Sequence, residues 1–178
     1  MLNKLNKIPS WYNISMNKRI TPIIVGNWKT TPATYKDAVE FVKQLDKKCE
    51  KYKKKLPKKS YYLAVSDIFI SQLKELSNGF IGSQNVTGVE LGQTTGANIP
   101  SQLVSGGADF TIIGHSEVRA KGETQNERAK KVALSLQSKL LTILCVGEHK
   151  RDKEGKYLHE IEDDVKKSLS LVSKNLFE

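Results

Sequence analysis

Five short apolar runs recur along this chain: "PIIVGNW" (22–28), "YYLAVSD" (61–67), "GFIGSQNV" (79–86), "DFTIIGH" (109–115) and "LLTILCVGE" (140–148). Each reads as a buried strand of a parallel sheet. The stretches between them carry helix signals. Thr31 followed by Pro32 predicts a helix start, and Ala38, Val42, Leu45 and Cys49 follow at helical spacing, which makes Cys49 a packing residue. "DIFISQLKELS" predicts a short helix closing near Asn78–Gly79. A glycine-rich loop, "TGVELGQTTGANIP", leads to Pro100 and a short helix ending at Gly106–Gly107. Thr124 with Glu127 three residues on is a capping box, opening a helix that buries Val132, Ala133, Leu136 and Leu140. Leu158, Ile161, Val165, Leu169, Val172 and Leu176 form a last amphipathic stripe. Five strands, each followed by a helix, predict a parallel α/β fold.

At 178 residues the chain has room for one domain with a real core. We expect a basic, poorly ordered leader over 1–20 and a folded domain over 21–178. The leader has no apolar centre, so it is not a secretory signal, and no apolar stretch is long enough to span a membrane. Cys49 and Cys145 are far apart and form no metal pattern, which predicts free thiols in a reduced, cytoplasmic protein. The net charge of +10 is concentrated in "KKCEKYKKKLPKK" (47–59). A nucleic-acid surface would favour arginine and stacking aromatics, and this run offers only Tyr52, so a solvated helix end and loop is the better reading. Neither nucleic acid nor a membrane is expected as a partner.

Parallel α/β folds carry their chemistry at the carboxyl ends of the strands. Polar residues crowd there: Asn27 and Lys29, Gln84 and Asn85, His115 and Glu117, then Glu148. Four strand ends converging on one rim would make one site. An amide donor, a cation and an imidazole suit an anionic substrate whose carbonyl must be polarised, because together they stabilise a developing oxyanion. Each also has a structural reading. His115 can be a satisfied structural histidine, Asn27 can cap a turn, Lys29 can be solvated and Glu117 can cap a helix.

"VGNWKT" (25–30), "IGHSEVRA" (113–120) and "LCVGE" (144–148) together resemble the triosephosphate isomerase family, in order and at matching separations. "GSQNV", "TTGA" and "KGETQNE" resemble its intervening segments. The resemblance implies a (β/α)8 barrel, of which about five parallel βα units are present. It implies interconversion of dihydroxyacetone phosphate and glyceraldehyde 3-phosphate through an enediolate, in glycolysis and gluconeogenesis, with no cofactor and no metal. Asn27 and Lys29 would contact the triose phosphate, His115 would be the electrophile, and Glu117 would pair with Lys29. Cys145 would be a buried structural thiol, and the loop around Thr95 would reach a second subunit of a homodimer. The family's glutamate base follows a sixth strand, and its phosphate-holding turns follow strands seven and eight. The chain is therefore expected to be inactive alone and to need a complementing C-terminal segment. The alternative is a non-catalytic partial barrel that binds or assembles. Thr30, Val118 and Ala97 depart from the family pattern, the last two against a normal dimer.

Overall fold

The computed structural model describes residues 23–52, 61–148 and 150–176. The expected leader and most of the lysine run lie outside them. The elements run β1 (Val25–Asn27), α1 (Tyr35–Glu50), β2 (Tyr62–Val65), a 3-10 turn (Asp67–Phe69), α2 (Ile70–Leu76), β3 (Phe80–Ser83), α3 (Pro100–Ser105), β4 (Phe110–Ile113), α4 (Ser116–Arg119), α5 (Gln125–Gln137), β5 (Leu141–Leu144), α6 (Lys156–Ser168) and a 3-10 turn (Lys174–Leu176). The five strands pair in sequence order, and every pair is parallel.

Strand alternation divides the apolar residues into two layers. Leu63, Val65, Ile81 and Ile113 point to the helices and pack with Ala38, Val42, Leu73, Leu103 and Val132. Ala64, Phe110 and Ile112 point the other way and gather Tyr62, Phe80, Ile143 and Cys145 into an inner layer. That inner layer curls the sheet. The Tyr62 ring on β2 stacks on Phe80 of β3 at 4.4 Å and meets Phe110 of β4 edge-on at 5.3 Å. Gly82 of β3 permits this approach, since a Cβ there would lie 2.4 Å from the Phe110 ring and 2.3 Å from its carbonyl oxygen. The result is a curled half-barrel with helices on its convex side. Five strands do not satisfy the tilt and shear that close an eight-stranded barrel. Ile23 and Ile24 ahead of β1, and Leu141 on β5, are exposed along the two edges.

Three details differ from expectation. Helix α1 begins at Tyr35, capped by Thr34, whose hydroxyl accepts the Asp37 N–H at 3.2 Å. Thr31 is taken by a turn instead: its N–H and its hydroxyl both donate to the Trp28 carbonyl at 3.0 Å. The last stripe is not one helix. α6 stops at Ser168, Val172 lies beyond it, and Leu176 falls in the separate 3-10 turn. Leu158 at its start is exposed, whereas Ile161 and Val165 are half-buried. Cys145 is half-buried rather than buried, because it follows an edge strand, and burial pushes its thiol pKa up. The Thr124–Glu127 capping box is present with both of its hydrogen bonds.

Candidate functional site

The carboxyl end of β1 turns through a strained residue. Trp28 continues the ladder by donating its N–H to the Ala64 carbonyl at 3.0 Å, and its ring anchors edge-on to Phe41 of α1 at 5.2 Å. Lys29 then takes φ +55°, a left-handed conformation that costs a residue with a Cβ about 1–2 kcal/mol. Hydrogen bonds on both sides hold it. Its N–H donates to Asn27 Oδ1 at 3.0 Å, and its carbonyl accepts from Gln84 Nε2 at 2.7 Å. The Asn27 amide nitrogen is left as a donor. Register puts Asn27 opposite Ala64, on the concave face.

β4 ends at Gly114, whose φ of +75° suits glycine. A Cβ there would also approach the Cys145 carbonyl oxygen to 2.8 Å and Arg128 Cδ to 2.9 Å. The turn delivers His115 to the start of α4, where its Nδ1 accepts the Glu117 N–H at 3.3 Å. An accepting Nδ1 carries no proton, so the ring hydrogen sits on Nε2, which can donate outward. Glu117 returns the other way: Lys29 Nζ lies 2.7 Å from its Oε1. The Lys29 hydrogen bond first, then the Lys29 and Lys121 charges, hold the Glu117 carboxyl below the usual carboxylate range despite some desolvation.

That ion pair spans three strand spacings, an arc of roughly 14 Å in a flat sheet. Two side chains bridge it because the sheet is curled. Gln84 adds the end of β3, so three of the four expected strand ends are joined by direct hydrogen bonds. The fourth is not. Glu148 after β5 turns to Arg151 at 2.7 Å, and the hydrogen bonds from its own backbone N–H and from Arg151 lower its carboxyl pKa. Asn85, expected on the rim beside Gln84, accepts instead from Lys131 at 3.1 Å.

Lys131 belongs to a buried ionic network that the sequence did not suggest. It pairs with Glu123 at 2.6 Å, Glu123 pairs with Arg128 at 3.2 Å, and Arg128 pairs with Asp164 of α6. Arg128 and Lys131 lie on the buried side of α5 beside Val132, where charge reads as a solvent-facing position in any polarity pattern. The nearest signal was the quoted "KGETQNE", which contains Glu123. A groove of about 460 Å³ opens between the loops after β1, β2 and β3. Lys29, Gln84, Asp67 and Asn98 are among its lining, whereas His115 and Asn27 are not. Among the described residues no cluster of histidine, cysteine and carboxylate side chains has a metal-holding arrangement. None of their helices is long and apolar enough to cross a membrane.

The family profile described as triosephosphate isomerase matches residues 22–178. A triosephosphate isomerase of Buchnera aphidicola subsp. Cinara cedri is 36% identical over 160 residues, covering 86% of this chain and 60% of its own length. One from Clostridium botulinum (strain ATCC 19397 / Type A) is 34% identical over 170 residues, covering 89% and 63%. One from Natranaerobius thermophilus is 36% identical over 154 residues, covering 84% and 58%. The chain thus spans about 60% of the length of these relatives.

Proposed function

Because the chain belongs to the triosephosphate isomerase family, we propose that its strand-end cluster is the electrophilic half of an isomerase site for dihydroxyacetone phosphate and glyceraldehyde 3-phosphate. One observation carries this reading: Lys29 and His115, from strands three spacings apart, are tied to the same residue, Glu117. The Lys29 ammonium attracts the substrate's anionic end and stabilises charge on the carbonyl oxygen. The free Asn27 amide hydrogen adds a second donor, and His115 Nε2–H a third. Such donors act most strongly as negative charge develops on oxygen, and loss of one costs about 10²–10³ in kcat. The base that takes the carbon-bound proton, and the turns that grip the phosphate, come in this reading from residues beyond these 178. The reaction uses no cofactor and belongs to cytoplasmic triose metabolism. A homodimer, with the loop around Thr95 reaching the second subunit, is part of the same proposal.

The test is complementation. The 178-residue chain alone should interconvert the two triose phosphates at or near the uncatalysed rate in a coupled assay. Adding a polypeptide that carries three further βα units from a relative should raise the rate by at least about 10²–10⁴, the contribution of a positioned base. In the complemented protein Lys29→Ala should remove most of the gain, and His115→Gln should lower kcat more than it raises KM. Strong activity of the chain alone that survives His115→Gln would overturn the mechanism. A restored fold without activity would replace it with a non-catalytic binding or assembly role.

A further inference from the structure

Gln84 is not one of the groups offered to substrate, yet it touches the residue on which the site turns. Its side chain leaves the end of β3 and passes the end of β2 to donate Nε2–H to the Lys29 carbonyl at 2.7 Å. Lys29 is one of two non-glycine residues with positive φ among the described residues. Glycine would take this conformation freely, but glycine has no ammonium. A lysine here must be kept left-handed by its surroundings. Its N–H is held from the same loop by Asn27, two residues away. Gln84 is different in kind: it is 55 residues away and fixes the loop to a separate strand.

We propose that Gln84 is a positioning residue for Lys29, holding the left-handed peptide so that the ammonium is aimed across the mouth at Glu117 and the space beside His115. The inference rests on the isomerase reading only for its catalytic consequence; the aiming itself is a property of this chain. When the carbonyl is released, Lys29 relaxes to negative φ. Its Cα–Cβ bond then swings away from the site, and its charge leaves Glu117.

Glu117 reports the geometry directly. The charged and titratable groups that act on it are Lys29, His115 and Lys121. Glu127 provides an internal control, because its carboxyl is also held low, chiefly by the Thr124 backbone and side chain in the α5 capping box, and it makes no hydrogen bond to Gln84 or Lys29. Carboxyl-carbon NMR titrations of the 178-residue chain should be compared for wild type, Gln84→Met and Lys29→Met. Methionine matches the size of glutamine but donates nothing. In Gln84→Met the Glu117 midpoint should rise by at least half of the rise that Lys29→Met produces, while Glu127 stays in place. An unchanged Glu117 would overturn the proposal, and so would a parallel rise at both glutamates, which marks loss of fold. Gln84→Ala, read the same way, decides the matter if the methionine variant does not stay folded. In the complemented protein Gln84→Met should lower kcat/KM roughly ten- to hundredfold, as small misplacements of catalytic groups do. If no complemented form turns over triose phosphate, the isomerase reading fails, and the Glu117 titration still decides the role of Gln84.

Discussion

The site is made by residues whose backbone is as specialised as their side chains. Lys29 is left-handed, and Gly114 is left-handed with carbonyl and guanidinium neighbours closed around it. Gly114→Ala should therefore destabilise the chain by about 2 kcal/mol or more, from the left-handed cost together with the contact against the Cys145 carbonyl, as measured by urea unfolding. It should also displace His115, the next residue. The residue types at the site were legible in the sequence: Asn27, Lys29, His115 and Glu117 stand at strand ends because a parallel sheet puts its polar residues there. Their conformations were not. A φ of +55° leaves no mark on a lysine in a sequence, and Gln84 gives no hint in its neighbourhood that it bonds to a carbonyl 55 residues away.

At the scale of elements, apolar runs announced all five strands, because a strand covered on both faces needs little else. The ends of helices were harder. Thr31–Pro32 has the composition of a helix start, but the Trp28 carbonyl captures Thr31 first, and Thr34 caps α1 instead. Helix α4 spans only four residues, too few to show a period. Helix α5 was legible at its capping box and misleading on its buried face, where Arg128 sits with a side chain 5% exposed. Arg128 ties α5 to Glu123 and to Asp164 of α6. Asp164 Oδ2 makes no hydrogen bond of its own, and its nearest other cation is Arg119 at 3.6 Å. Arg128→Met should thus leave the buried Asp164 carboxylate poorly compensated, with Glu123 still held by Lys131, and cost about 3–5 kcal/mol in denaturant unfolding. The same change at an exposed residue such as Lys166, paired with Glu162, should leave the denaturation midpoint nearly unchanged.

For the molecule as a whole, the sheet runs from β1 to β5, and among the described residues no further strand pairs with either edge. Ile23, Ile24 and Leu141 are between 50% and 68% exposed on those edges. Such edges invite pairing with other strands. Light scattering on the 178-residue chain should show an average mass that grows with concentration, and added three-unit complement should bring it to one defined species. The ladders along the sheet are also unequal. β2–β3 and β4–β5 are each in register over four residue pairs, but β3–β4 over only two, Gly82↔Phe110 and Ser83↔Thr111. That short seam separates a leaf carrying Asn27, Lys29 and Gln84 from a leaf carrying His115 and Glu117. The Lys29–Glu117 pair is therefore a clasp across a crease. Anything anionic that seats between Lys29 and His115 fastens the two leaves to each other, and amide hydrogen exchange should slow on both sides of the crease together.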